Sequence, residues 1–92
     1  MIEVNDGKLL ISGNKLPVGD IAILKQLLRV GPTSAFKLME MTGKMYVQYI
    51  QYRLRVLCSP LLSGIVIKSG RGLYEINPEI KEELERVLGN IK

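Results

Sequence analysis

The chain has 92 residues, 47% of them hydrophobic, and a formal net charge of +4, which is apolar material enough for one small core and argues against global disorder. Its apolar runs are only a few residues long, short of a membrane span, and Glu3 and Asp6 stand early, with no apolar stretch of a secretion signal around them. Histidine is absent and Cys58 is the one cysteine, so the commonest general base is missing and neither an internal disulfide nor a Cys/His zinc site can be built. These features disfavour an ordinary hydrolase and point to a non-enzymatic, cytoplasmic protein with no cofactor or metal and no membrane.

Residues 1–15 read as a short hairpin or strand. Ile2 and Val4 alternate with polar residues, Asn5-Asp6-Gly7 supplies a turn, and Leu9 and Ile11 resume the alternation before Gly13-Asn14-Lys15 breaks it. A frayed arm is the alternative. A helical core over 17–57 follows. Pro17 suits a first turn, and Ile21, Leu24, Leu27 and Leu28 form an apolar stripe with Asp20, Lys25, Gln26 and Arg29 facing water. Gly31 and Pro32 end that helix. Thr33 or Ser34 can cap a second, short helix whose buried side is Ala35, Phe36, Leu38 and Met39, with Lys37 and Glu40 on the wet side. Thr42-Gly43 stops it, and a left-handed Gly43 suits a tight interhelical turn.

The third helix is expected over Lys44–Leu57. Val47, Ile50, Leu54 and Leu57 share one stripe, and stepping about 100° per residue from Ile50 places Gln48, Tyr52 and Arg55 opposite it. Lys44, Tyr49 and Gln51 fall to either side. From Met41 to Tyr74 there are five cations (Lys44, Arg53, Arg55, Lys68, Arg71) and no acid, while the remaining segments sum to −1. A basic middle between near-neutral flanks suits a polyanion, although the solvated surface of an ordinary basic protein has the same composition. Pro60 ends the helix, Leu61 and Leu62 pack as one more turn, and a β-hairpin spans 64–76: strands Ile65–Lys68 and Leu73–Ile76 around Ser69-Gly70-Arg71-Gly72. Asn77-Pro78 opens a final helix over 78–91, amphipathic through Ile80, Leu84, Val87, Leu88 and Ile91.

Helix, short helix, glycine turn, helix, strand, Gly-rich loop, strand and helix form a sequence that resembles the winged helix-turn-helix family of bacterial, archaeal and viral transcription regulators. The likeness rests on Ile21–Leu28, on Thr33–Gly43, on the Val47/Ile50/Leu54/Leu57 spacing, and on Gly64–Lys68 with Gly72–Ile76. It covers about residues 17–77. The small form with an extra terminal helix looks most like regulators of archaeal plasmids and viruses. Two departures stand out: the turn after Gly43 is a residue longer than the commonest form, and the Cys58–Ser63 link is also long.

The resemblance implies an α+β winged-helix domain over 1–92, with a three-helix core, a β-hairpin wing, an N-terminal strand or hairpin and an extra C-terminal helix. It also implies a double-stranded DNA partner, the 44–57 helix in the major groove and the Lys68–Arg71 wing on the minor groove or backbone. Gln pairs with adenine and Arg with guanine, so Gln48 and Gln51 are the expected base readers, helped by Lys44, Tyr49 and Tyr52, with Arg55 more suited to phosphate. Tyr46, Tyr49 and Tyr52 can contact the DNA by packing on thymine methyls or sugars and donating to phosphate, although Tyr46, on the flank of the buried stripe, is expected to be partly core. Tyr49 can alternatively line a dimer surface or small-molecule cavity. Thr33, Ser34 and Lys37 can hold phosphate, and Arg71, free between two glycines, can enter a narrow minor groove. Such regulators usually work as two-fold dimers, here expected through Ile80, Leu84, Val87, Leu88 and Ile91, unless those residues close the protomer's own core. A factor spreading along DNA and a protein-interaction module are the competing readings.

Overall fold

The computed structural model describes residues 2–43 and 45–89. It is an α+β fold of four α-helices and two small antiparallel sheets. The first sheet consists of β1 (Ile2–Asn5), β2 (Lys8–Ile11) and β3 (Asn14–Lys15). Asn5 pairs with Lys8 across Asp6-Gly7, both with positive φ (54° and 75°), as a two-residue turn matching strand twist requires. The expected break at Gly13–Lys15 does not occur. Ser12 and Gly13 form a second turn of the same kind, φ 51° and 81°, and β3 continues the sheet with Ile11 opposite Asn14. Period-2 alternation buries Ile2, Leu9 and Ile11 on one face.

Helix α1 (Val18–Val30) is covered on a wider arc than its stripe suggests. It meets α2 (Ala35–Thr42), α4 (Lys81–Leu88) and a strand of the second sheet, so Ile23 is as fully buried as Leu24. Asp20, expected in water, is fully buried, because the guanidinium of Arg53 reaches it from α3 (Val47–Leu57). Helix α2 (Ala35–Thr42) is capped by Ser34, whose Oγ accepts from the Lys37 N–H at 3.2 Å. It buries Ala35 and Leu38 but leaves Phe36 exposed. Gly43 ends it at φ 69°, with its N–H donated to the Met39 carbonyl.

Helix α3 is shorter than expected: it runs Val47–Leu57, with Tyr46 as its N-terminal boundary residue. Lys44 lies outside the described residues. A 3₁₀ turn (Pro60–Leu62) follows, in which Leu62 is buried and Leu61 exposed. Strands β4 (Val66–Gly70) and β5 (Leu73–Ile76) form the second hairpin, with Gly70 opposite Leu73 and an irregularity between Lys68 and Gly70. This hairpin is held to the helices by a two-bond bridge. The Thr33 N–H donates to Tyr74 O at 2.9 Å, and the Tyr74 N–H donates to Thr33 O at 2.8 Å.

The last helix, α4 (Lys81–Leu88), begins later than the Asn77-Pro78 signal implies. Asn77–Ile80 closes a separate turn, with the Ile80 N–H donated to Asn77 O, while the Asn77 side chain accepts from the Glu79 N–H and donates to Gly64 O. Two residues of its apolar edge are taken up within the protomer. Leu84 and Leu88 are buried in the same core as Ile2, Ile23, Leu54 and Ile76, with Ile80 and Val87 packed against it. Ile91, the last residue of the expected dimer surface, lies outside the described residues. Among the described residues, no helix is long and apolar enough to cross a membrane.

Candidate nucleic-acid interface

The site is built on α3. Ile50, Leu54 and Leu57 are fully buried and Val47 half-buried, which fixes the rotation of the helix about its axis. Gln48, Gln51, Tyr52 and Arg55 are consequently all exposed, as the spacing required. Tyr49 is 40% exposed and its ring lies near α1, 3.8 Å from where a Cβ on Gly19 would stand. The tighter neighbour is Met45, whose sulfur would lie 3.2 Å from that Cβ, so Gly19 makes room for the connection between α2 and α3. Tyr46 is not core at all: at 83% exposure it is among the most open side chains of the protein. The expectation failed because α3 starts at Val47, so residue 46 sits in the connection and leaves the helical register that would have turned it inward.

The electrostatics of this face depend on one pairing. Arg53 donates from Nε to Asp20 Oδ1 at 2.8 Å and from a terminal nitrogen to Oδ2 at 2.6 Å. These hydrogen bonds hold its guanidinium above the ordinary arginine range, outweighing the opposing effect of burial. Arg53 is therefore a structural cation and leaves the expected basic surface. It also stacks near the Tyr52 ring, 5.7 Å from the centroid. The sequence carried a signal for this pair, since Asp20 is the sole acid between Asp6 and Glu40, but spacing alone could not say which cation it meets.

The second hairpin stands beside α3. Arg55, Cys58, Val66, Ile67, Lys68 and Tyr74 line one cleft between them, bringing the expected phosphate contact of the helix together with that of the hairpin. Lys68 Nζ lies 5.9 Å from the Tyr74 ring centroid. Arg71 occupies the exposed tip, followed by Gly72 at φ 70°. Tyr74 and Ile67 were not among the expected site residues; pairing across the hairpin puts Tyr74 on the face of Lys68 and Val66, and Ile67 opposite Glu75 on the other.

At the start of α2 the three expected phosphate contacts separate. Lys37 is exposed. Ser34 is half-buried and its oxygen already accepts the capping bond, with the hydroxyl hydrogen remaining to donate. Thr33 is excluded: it is 7% exposed, and its N–H and C=O are both engaged with Tyr74. It positions the hairpin instead.

Comparison with protein-family models, with curated proteins and with solved structures found no match to this chain.

Proposed function

We propose that this chain is a sequence-specific double-stranded DNA-binding protein of winged helix-turn-helix type, with the role of a transcription regulator. In this reading α2 and α3 are the helix-turn-helix, α3 enters the major groove, and the β4–β5 hairpin is a wing on the minor groove or backbone. The observation that carries it is the outer face of α3. Gln48, Gln51, Tyr52 and Arg55 are presented to solvent together, with no carboxylate from Met41 to Tyr74 to compete for their donors. The Thr33–Tyr74 bridge supports it further, because it ties the Arg71-tipped hairpin to the same helical unit. The dimer expected through α4 is not part of the proposal, since Leu84 and Leu88 close the protomer's own core.

The test is selection from random duplex DNA at a series of salt concentrations. Enrichment of a short consensus, with affinity falling as salt rises, is the expected result. A protected tract that lengthens with protein concentration would favour spreading along DNA. The exposure of Phe36 and Tyr46, 58% and 83%, favours a second reading, a protein-interaction module. It predicts no enrichment and no mobility shift even at low salt.

A further inference from the structure

The cleft between α3 and the second hairpin has a volume of about 410 Å³, within the range of roughly 300–1,000 Å³ in which small-molecule sites fall. Its composition is more selective than its size. Arg55 contributes a guanidinium from the helix and Lys68 an ammonium from the strand, and no lining residue is an acid. Glu75, next to Tyr74 in the chain, lines a different hollow with Leu27, Pro32 and Lys81, as strand alternation demands. The rest of the lining is Val66, the Tyr74 ring, Cys58 and Ile67, of which Val66 and Tyr74 share the Lys68 face of the hairpin. Two cations without a carboxylate call for an anion. An apolar floor with an aromatic wall calls for an organic body, which an inorganic ion lacks. The thiol reports the same mixture: burial pushes Cys58 up from its ordinary value, with the Lys68 charge pulling the other way.

We propose that this cleft binds a small organic anion, an acidic headgroup on a flat apolar body, and that its occupancy competes with DNA for Arg55 and Lys68. The competition rests on the DNA-binding reading above; the binding does not. The headgroup sits between the guanidinium and the ammonium, and the body lies against the Tyr74 ring, which shares the Lys68 face of the hairpin. A regulator so built releases DNA when the ligand accumulates, with no second domain and no change of fold.

Cys58 is the one cysteine of the chain, so its alkylation by iodoacetamide, followed by mass spectrometry, reports occupancy without ambiguity. Phenyl phosphate is the probe, with inorganic phosphate and benzyl alcohol as the headgroup and body alone. Phenyl phosphate is expected to slow alkylation at concentrations at least about tenfold below those needed for inorganic phosphate, and benzyl alcohol to give no protection. Arg55→Ala and Lys68→Ala, both at exposed positions, should each weaken protection roughly tenfold, as loss of a charged hydrogen bond does. Protection is taken as a ratio within each variant, because Lys68 itself acts on the thiol. Equal protection by inorganic phosphate, absence of protection, or protection untouched in both variants overturns the proposal. Phenyl phosphate should also displace a selected duplex. Duplex binding without thiol protection overturns the cleft alone. Protection in a chain that binds no duplex supports the cleft and overturns the DNA reading.

Discussion

Asp20 on α1 and Arg53 on α3 form a two-point ion pair at 2.8 and 2.6 Å, with the carboxylate side chain fully buried and the guanidinium side chain 13% exposed. The pair pins the first helix to the third across 33 positions of chain. Removing one partner leaves the other charged and shielded from water. Arg53→Met should therefore cost about 3–5 kcal/mol, and the double variant Asp20→Leu/Arg53→Met should recover most of that loss. Urea unfolding of the four proteins measures the coupling; additive single losses would show that the pair does not act as a unit.

The fate of Leu84 distinguishes a core residue from an interface residue. Its side chain is fully buried beneath β1 and α1, so Leu84→Ala should destabilise the fold by about 2–5 kcal/mol. Sedimentation of the folded variant should give the same mass as the parent. A variant of unchanged stability that sediments as a smaller species would return α4 to the dimer surface.

Gln48 and Gln51 differ from the cations beside them in what they can read. Each offers an NH2 donor group beside a carbonyl acceptor on a planar amide, the complement of the N7 acceptor and N6–H donor that adenine presents in the major groove. Replacing either with Ala should relax base preference at a single position, by about 1–3 kcal/mol of discrimination. Selection from a randomised site that returns the parent consensus unchanged would remove these residues from base reading.

Arg71 should behave in the opposite way. Exposed at the hairpin tip, it is suited to phosphate or the narrow minor groove, so Arg71→Ala should weaken all duplexes alike. The slope of log affinity against log salt should fall by about 1. Altered preference at one base position, with the slope intact, would make the hairpin a base reader.

Cys58 carries a pH dependence whose sign follows from burial. Its folded-state thiol is raised above the ordinary value, so the folded protein holds that proton more tightly than the unfolded chain. This contribution is fully present below the ordinary thiol range and is lost as pH rises through the folded value. Between about pH 7 and about pH 10.5, bracketing the ordinary thiol value of about 8.5, the parent should lose stability relative to Cys58→Ala. Parallel urea midpoints across that range would contradict it.

The sequence by itself determined the elements that local chemistry controls. The Asp6-Gly7 turn, the Ser34 cap, the left-handed Gly43 and the second hairpin were all legible, because each depends on residues within a few positions of one another. The outer face of α3 was legible for the same reason: once Ile50, Leu54 and Leu57 go inward, periodicity alone places Gln48, Gln51, Tyr52 and Arg55 outward. Tertiary structure decided which of two compatible roles a residue took. An amphipathic last helix can close its own core or a neighbour's, and only the position of α4 against β1 and α1 settled that Leu84 does the former. A cation on a basic stretch can face a ligand or an internal acid, and Arg53 went to Asp20, 33 positions away in the chain. Thr33, readable as a phosphate contact, instead joins the hairpin to the helices. In each case the deciding interaction was long-range, which spacing along one element cannot encode.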